Sequence, residues 1–194
     1  MVSILSIIVS SALIYSAPLV FTALGGTFSE RSGTINVGLE GTMVIGAFSS
    51  VVFNLTFGDK MGEITPWICL LVAAVIGALF SLIHAVATIN LRANHIISGT
   101  VLNMMAPALA VFLTRTLYEE KGQTDFIKYS FGKTTIPLLS KLPVLGPIFF
   151  KDTSIVAYVA ILVSIFCWFV IYKTQFGLRL RSVGENPQDR KSVV

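Results

Sequence analysis

Long apolar runs separated by short polar connections make up most of this chain. Five runs carry few charges, near residues 4–24, 39–57, 66–90, 96–118 and 154–173. A helix needs about 20 mostly apolar residues to cross the hydrocarbon core of a bilayer. The pattern therefore predicts an all-α, polytopic helical membrane protein with about five transmembrane helices, in which residues 1–194 form a single transmembrane domain.

Composition agrees with a membrane protein and narrows the functions that the chain can have. Hydrophobic residues make up 54% of the 194 residues and charged residues 12%, whereas a soluble domain carries about 25% charged residues. The formal charge is +4, but the basic residues are scattered between apolar runs, which argues against a nucleic-acid partner. Cys69 and Cys167 lie far apart inside apolar runs and fit neither a metal site nor a disulfide framework. We expect no metal and no cofactor.

Basic residues near the span ends predict the direction of insertion, because Lys and Arg are retained in the cytoplasm. The tail, residues 174–194, and the residue before it carry five basic side chains against two acidic ones: Lys173, Arg179, Arg181, Arg190 and Lys191, against Glu185 and Asp189. This balance places the tail inside, and alternation over five spans places the N-terminus outside. The 119–153 connection is then an extracytoplasmic loop, expected to form a compact cap with one short helix or interfacial turn.

A glycine-rich polar segment separates the first two runs. Residues 23–41 contain five glycines together with Glu30, Arg31, Asn36 and Glu40. Irregular backbone at membrane depth survives only against protein or a water-filled cavity, and transporters build substrate sites from discontinuous helices. The segment therefore predicts a broken or re-entrant entry to the second span.

Three polar residues within the predicted spans have either a structural or a functional role. Glu40 is expected in the first turn of the second span, where the helix dipole favours a carboxylate, either as a cap or as part of a solute path. Asn103, close to Pro107, either bonds a neighbouring helix or lines that path. For His84, a hydrogen bond to a neighbouring helix is the favoured interpretation.

The tail contains a short stretch that is both basic and amphipathic. Arg179 and Arg181 alternate with apolar residues, and Pro187 ends any helix there. Taken alone, this pattern is typical of a juxtamembrane segment that binds anionic lipid headgroups.

Two segments resemble the permease subunits of the branched-chain amino acid, simple sugar and nucleoside class of bacterial ABC importers. They read LGGTFSERSGTINVGLEG at residues 24–41 and FGLRLRSVGENP at residues 176–187. The SERSG form, together with LRANHIISGTVLN at residues 91–103, is most similar to the nucleoside-uptake branch. The chain also lacks a phosphate-binding glycine motif.

The resemblance implies a transport subunit that is not itself an enzyme. ATP hydrolysis is expected on a separate cytoplasmic ATP-binding subunit, with a second permease subunit and an extracytoplasmic substrate-binding lipoprotein as further partners in the bilayer. In this class a cytoplasmic segment docks onto the ATP-binding subunit and transmits its closure to the spans. The resemblance assigns that coupling role to Gly177, Arg179, Arg181, Gly184, Glu185, Asn186 and Pro187, and the candidates for the substrate path are Asn36, Glu40 and Asn103.

One departure from the family concerns the end of the sequence. In the family the GENP segment leads into an Ala/Gly-rich stretch and further spans, whereas here residues 189–194 follow it. We therefore expect a truncated or frameshifted sequence. The remaining alternatives are a sugar or branched-chain amino acid permease of the same family, an ion-coupled secondary transporter, a membrane-embedded enzyme and a non-functional permease fragment.

Overall fold

The computed structural model describes residues 2–118, 123–134 and 153–185, and their side chains except at residues 2–4, 133, 134 and 153. These residues form mainly helices: α1 Val2–Arg31, α2 Leu39–Met61, α3 Thr65–Ala85, α4 His95–Leu117, α5 Ile155–Lys173 and α6 Gln175–Glu185. A 3-10 turn at Gly62–Ile64 joins α2 to α3, and a wider π-type turn at Val86–Asn90 follows α3. Two short strands, β1 Lys133–Thr134 and β2 Thr153–Ser154, pair antiparallel. The all-α class is confirmed, because two-residue strands do not alter it.

The five predicted spans are confirmed. Four continuous helical stretches are long and apolar enough to cross a membrane: Leu5–Arg31, Leu39–Asn90, His95–Leu117 and Ile155–Lys173. The second stretch has 52 residues, more than twice the roughly 20 needed for one crossing. It contains α2 and α3, which pack against each other after the chain reverses at Gly62, where φ is +61°. The chain is a multi-pass membrane protein.

The first helix is longer than the sequence predicts. It runs through Gly25 and Gly26 and ends at Arg31, beyond the predicted end at residue 24. A helix satisfies its backbone hydrogen bonds internally, so in lipid it continues through a pair of glycines when no better partner is offered. The irregular connection is therefore confined to residues 32–38. The short helix expected within residues 119–153 can only be compared in part, since residues 119–122 and 135–152 lie outside the described residues.

The chain divides into two compact units, Met1–Gly33 with Phe131–Val194, and Thr34–Ser130. In the first unit α1 packs against α5, and α6 packs against the end of α5. In the second unit α2 packs against both α3 and α4. A small apolar core formed by Ile45, Phe80, Leu102 and Ala106 lies between these three helices, which positions the start of α2 against α4.

Candidate functional site

Asn103 of α4 holds the first turn of α2. Its Oδ1 accepts the Gly41 N–H at 2.7 Å, and its Nδ2 donates to the Val37 carbonyl at 2.8 Å. The first four N–H groups of a helix have no partner within the helix, and Gly41 is the third residue of α2. The half-buried Asn103 amide therefore supplies hydrogen bonds that the backbone cannot make for itself.

The residues just before α2 lie directly on α4. The Asn36 Oδ1 accepts the Gly38 N–H at 3.0 Å and closes a tight turn. A Cβ atom added to Gly99 would lie 2.8 Å from the Gly38 nitrogen, and one added to Gly41 would lie 2.7 Å from the Leu102 carbonyl oxygen. Only glycine allows an approach this close, so the irregular segment is covered by protein, as irregular backbone at membrane depth requires.

The three substrate-path candidates therefore meet around one helix start. Glu40 lies in the first turn of α2, as predicted, and its side chain is exposed. Asn36 and Asn103 are half-buried, and their side chains bond backbone groups of residues 37–41. Among the three, Glu40 has the most exposed side chain.

The tail segment forms helix α6, which begins immediately after α5. The Thr174 hydroxyl donates to the Val170 carbonyl at 2.5 Å and accepts the Gly177 N–H at 3.3 Å, so it caps the new helix. Gly177 is buried, and a Cβ atom there would collide with the Ile171 carbonyl oxygen. The sharp turn from α5 into α6 therefore requires glycine at this position.

Tyr172, in the last turn of α5, contacts two arginines. An Nη of Arg31 donates to the Tyr172 hydroxyl at 2.7 Å, and the Arg31 guanidinium carbon lies 5.6 Å from the ring centroid. The Arg181 guanidinium carbon lies 5.3 Å from the same centroid, and its Nε donates to the Gly177 carbonyl at 3.4 Å. Both arginines are within the range of cation–π attraction, and together they tie α6 and the end of α1 to α5.

Gly184 brings α6 against the chain that follows α1. A Cβ atom on Gly184 would lie 2.5 Å from the Arg31 carbonyl oxygen and 3.0 Å from the Gly33 nitrogen. Gly33 itself has φ of +84°, a conformation that favours glycine. This contact is a second point at which α6 is held to α1.

The coupling candidates thus fall into two groups. Gly177, Arg181 and Gly184 pack against α5 or the end of α1, whereas Arg179 and Glu185 are exposed. Asn186 and Pro187 lie outside the described residues. Sequence reasoning missed Tyr172, although a tyrosine at the end of an apolar run close to basic residues is typical of the membrane boundary.

A third cluster joins the C-terminal part of α2 to the segment that follows α4. The Lys128 Nζ lies 2.9 Å from a carboxylate oxygen of Asp59, and the Asn54 Nδ2 donates to the Tyr129 carbonyl at 2.7 Å. The hydrogen bond and the charge of Asp59 raise the pKa of Lys128 above its ordinary value. These contacts hold both segments at the same end of the α2–α3–α4 unit.

The favoured interpretation of His84 is confirmed. Its Nδ1 lies 3.0 Å from the Ser98 Oγ, so a hydrogen bond joins α3 to α4. His84 is buried, 9% exposed, and its ring lies edge-on to that of His95 at 6.2 Å. This imidazole has a structural role within the second unit.

Comparisons with known proteins give a consistent set of relatives. A profile of the family described as branched-chain amino acid transport system, permease component, matches residues 8–192. Over 187 residues the chain is 61% identical to the nucleoside ABC transporter permease protein NupC of Lactococcus lactis subsp. cremoris. The matched region covers 96% of this chain and 58% of the relative. The chain is 54% identical over 186 residues to the guanosine ABC transporter permease protein NupQ of Bacillus subtilis, with the same two coverages.

A more distant relative is the putative glucose ABC transporter permease protein TsgC13 of Haloferax volcanii. It is 30% identical over 174 residues, covering 88% of this chain and 49% of the relative. The chain therefore spans about half to three-fifths of the length of these three relatives. No solved structure matches the chain.

Proposed function

Because this chain belongs to the branched-chain amino acid transport system permease family, we propose that it is a membrane-spanning permease subunit of an ATP-driven ABC importer that translocates nucleosides. The observation that carries the proposal is the 61% identity to a nucleoside ABC transporter permease along 96% of this chain. The chain performs no covalent chemistry in this scheme. A separate cytoplasmic ATP-binding subunit hydrolyses ATP, and a second permease subunit and an extracytoplasmic substrate-binding lipoprotein complete the importer.

In this proposal the solute path passes the start of α2. Asn36 and Asn103 hold the backbone of residues 37–41 in place through their side-chain amides. Glu40, which is exposed beside them, accepts hydrogen bonds from hydroxyl or amine groups of the solute. The helix dipole attracts negative charge to the first turn of a helix, which suits this position to a side chain that accepts hydrogen bonds.

Helix α6 is the proposed coupling element. Arg179 and Glu185 are exposed and available to the ATP-binding subunit, and Asn186 and Pro187 are assigned to the same contact. Arg181 and the glycines of α6 act differently, since they fix the helix to α5 and to the end of α1. A displacement of α6 by the ATP-binding subunit would then be transmitted to two spanning helices.

The proposed orientation has the N-terminus outside and the C-terminus inside. If successive spans alternate in direction, certain segments must lie on the same side of the membrane. Each unit has one contact between two such segments, and these contacts support the orientation. Lys128 meets Asp59 in the unit of residues 34–130, and Arg31 meets Tyr172 in the other unit. The basic tail supplies the direction, and the 119–153 loop is then extracytoplasmic, where the lipoprotein docks.

The test is uptake by cells that lack their own nucleoside transporters and express this chain with the proposed ATP-binding subunit, second permease and lipoprotein. Radiolabelled guanosine and adenosine should accumulate, and a variant of the ATP-binding subunit that cannot hydrolyse ATP should abolish their uptake. Glu40→Gln should reduce uptake while the chain remains in the membrane at the normal amount. The Lys60→Gln variant, at the other end of α2, serves as the control.

Other results of this experiment would contradict the proposal in separate ways. Accumulation of glucose or leucine instead of nucleosides would assign a different solute within the same family. Uptake that continues without ATP hydrolysis would indicate an ion-coupled transporter. Absence of uptake for every solute, with all four proteins present in the membrane, would reject a transport role for this chain.

A further inference from the structure

Arg31 and Arg181 form a cationic pair around Tyr172, and the proposed transport function assigns no ligand to this pair. Among the residues that the structure describes, neither guanidinium forms a salt bridge. Each uses one N–H group within the protein, on the Tyr172 hydroxyl and on the Gly177 carbonyl respectively. A guanidinium has five N–H donors, so the contacts found among the described residues occupy a minority of the donors of each arginine.

The two positive charges are held near each other. Since both guanidinium carbons lie within 5.6 Å of one ring centroid, they are separated by no more than about 11 Å, roughly one Debye length at 0.1 M salt. The ring attracts each cation, but it carries no net charge that could neutralise them. An anion that contacts both guanidinium groups would remove the repulsion between them.

The pair lies where a bilayer presents its phosphate groups. Arg31 is the last residue of the spanning stretch Leu5–Arg31, and Tyr172 is in the last turn of the spanning stretch Ile155–Lys173. Trp168 lies 6.3 Å from Tyr172, centroid to centroid, and such aromatic pairs are typical of the headgroup level. The arginines are therefore at the boundary between hydrocarbon and water.

Helix α6 adds apolar side chains beside this cationic pair. Phe176 and Leu178 are 59% and 62% exposed, although they follow directly after a spanning helix. An amphipathic helix with basic and apolar side chains at a span end lies in the membrane interface, where its apolar side chains reach the acyl chains. A ligand with a phosphate group and an apolar tail would satisfy both the arginines and these side chains.

We propose that Arg31 and Arg181, positioned by Tyr172, bind the phosphate of an anionic lipid headgroup, with phosphatidylglycerol as the probe. The recognised chemistry is a phosphate anion, which a lipid or free phosphate can present. The site is separate from the exposed Arg179 and Glu185 that are proposed to meet the ATP-binding subunit. It requires neither the transport activity nor a particular direction of insertion.

The experiment uses the purified 194-residue chain in neutral detergent micelles that contain equal amounts of phosphatidylglycerol and phosphatidylcholine. Native mass spectrometry counts the lipids that stay bound to the wild type and to R31Q, R181Q and R179Q. Because each basic residue near an anionic surface contributes about 1 kcal/mol, R31Q and R181Q should each lower retained phosphatidylglycerol about fivefold. R179Q makes the same charge change on the same helix, but Arg179 is not one of the two arginines held at Tyr172, so it should lower retention less than about twofold.

A second measurement needs no substitution and so does not depend on the variants folding. Phenylglyoxal modifies arginine side chains, and peptide mass spectrometry locates each modified residue in the wild-type chain. Phosphatidylglycerol should protect Arg31 and Arg181 from modification but leave Arg179 reactive. Phosphatidylcholine should protect none of the three arginines.

Several results would overturn the proposal. Equal losses in R181Q and R179Q would indicate diffuse attraction to the anionic surface instead of a site. Unchanged retention in both R31Q and R181Q, or equal protection of all three arginines, would also reject it. Inorganic phosphate that protects Arg31 and Arg181 as well as phosphatidylglycerol does would assign a soluble ligand and overturn the lipid source, whereas protection by the lipid alone supports it.

Discussion

Asn103 links two helices through backbone groups that would otherwise be unpaired. Its amide has one acceptor and one donor in the right places for the Gly41 N–H and the Val37 carbonyl. In lipid no water competes for such groups, so their pairing decides whether an irregular segment is tolerated. The start of α2 is therefore stabilised by a side chain of α4 as well as by its own local hydrogen bonds.

Replacing Asn103 with leucine should destabilise the chain by about 1–2 kcal/mol. Leaving a buried donor or acceptor unpaired costs about 1–3 kcal/mol, whereas interhelical bonds in membranes average nearer 0.6 kcal/mol, and Asn103 is only half-buried. The measurement is the thermal midpoint by circular dichroism in micelles. Met104→Leu is the control, since Met104 is 74% exposed next to Asn103. Equal midpoints for the two variants would show that the Asn103 bonds contribute nothing.

Gly177→Ala should destabilise the turn between α5 and α6, although it adds only one methyl group. The added methyl would meet the Ile171 carbonyl oxygen, and the backbone would have to open the turn between α5 and α6, typically at a cost of about 1–3 kcal/mol. Gly132→Ala is the matched control, because a Cβ atom there meets nothing within 4 Å. Limited proteolysis after residue 173 should become faster in Gly177→Ala only. Similar cleavage rates in both variants would contradict the close approach.

The sequence predicts which single residues need a hydrogen-bond partner, because a polar side chain in an apolar run must be paired. A polar Asn103 within an apolar run must find a partner, so its candidacy follows from the sequence alone. Which partner it finds does not, because Gly41 and Val37 are about 60 positions away along the chain. Tyr172 was missed for a similar reason, since the arginine that bonds its hydroxyl lies 141 positions earlier.

Helix α6 is the element whose sequence pattern and structure agree most closely. Arg179 and Arg181 alternate with apolar residues, and the segment forms the helix Gln175–Glu185 before Pro187. The prediction for helix α1 was less accurate, because the glycines after residue 24 indicated the end of the helix there, whereas the helix continues to Arg31. Glycine lowers helix propensity by about 1 kcal/mol, and that cost is smaller than the cost of leaving backbone groups unpaired in lipid.

Charge reversal on the exposed side of α6 should separate docking from folding. Arg179→Glu should reduce copurification of the ATP-binding subunit severalfold without lowering the thermal midpoint, because Arg179 is exposed. Arg181→Glu, in contrast, should lower the thermal midpoint, since it places a carboxylate near the Tyr172 ring, whose face repels anions. Lys60→Glu, in the last turn of α2, controls for net charge. Undiminished copurification of Arg179→Glu would reject its docking role.

At the level of the whole molecule, hydropathy predicts how many helices cross the membrane but not how they pack. The five runs correspond to α1 to α5 because lipid accepts only segments that satisfy their own backbone. The predicted sides of the membrane depend on a different property, the charge next to each span end. Contacts such as that between Lys128 and Asp59 agree with spans that alternate in direction, but they do not indicate which side of the membrane is the cytoplasm.

Membrane-impermeant labelling should determine the direction in intact cells. In a background with Cys69→Ala and Cys167→Ala, single cysteines at Lys60, Arg92 and Arg179 report the end of α2, the α3–α4 connection and α6, and all three native side chains are exposed. The basic tail is retained in the cytoplasm, so the cysteine at residue 60 should react with an impermeant maleimide at once. Those at residues 92 and 179 should react only after permeabilisation. The reverse pattern would invert the topology and remove α6 from contact with a cytoplasmic ATP-binding subunit. It would leave the proposed lipid site intact, because anionic headgroups are recognised by the same two arginines at either surface.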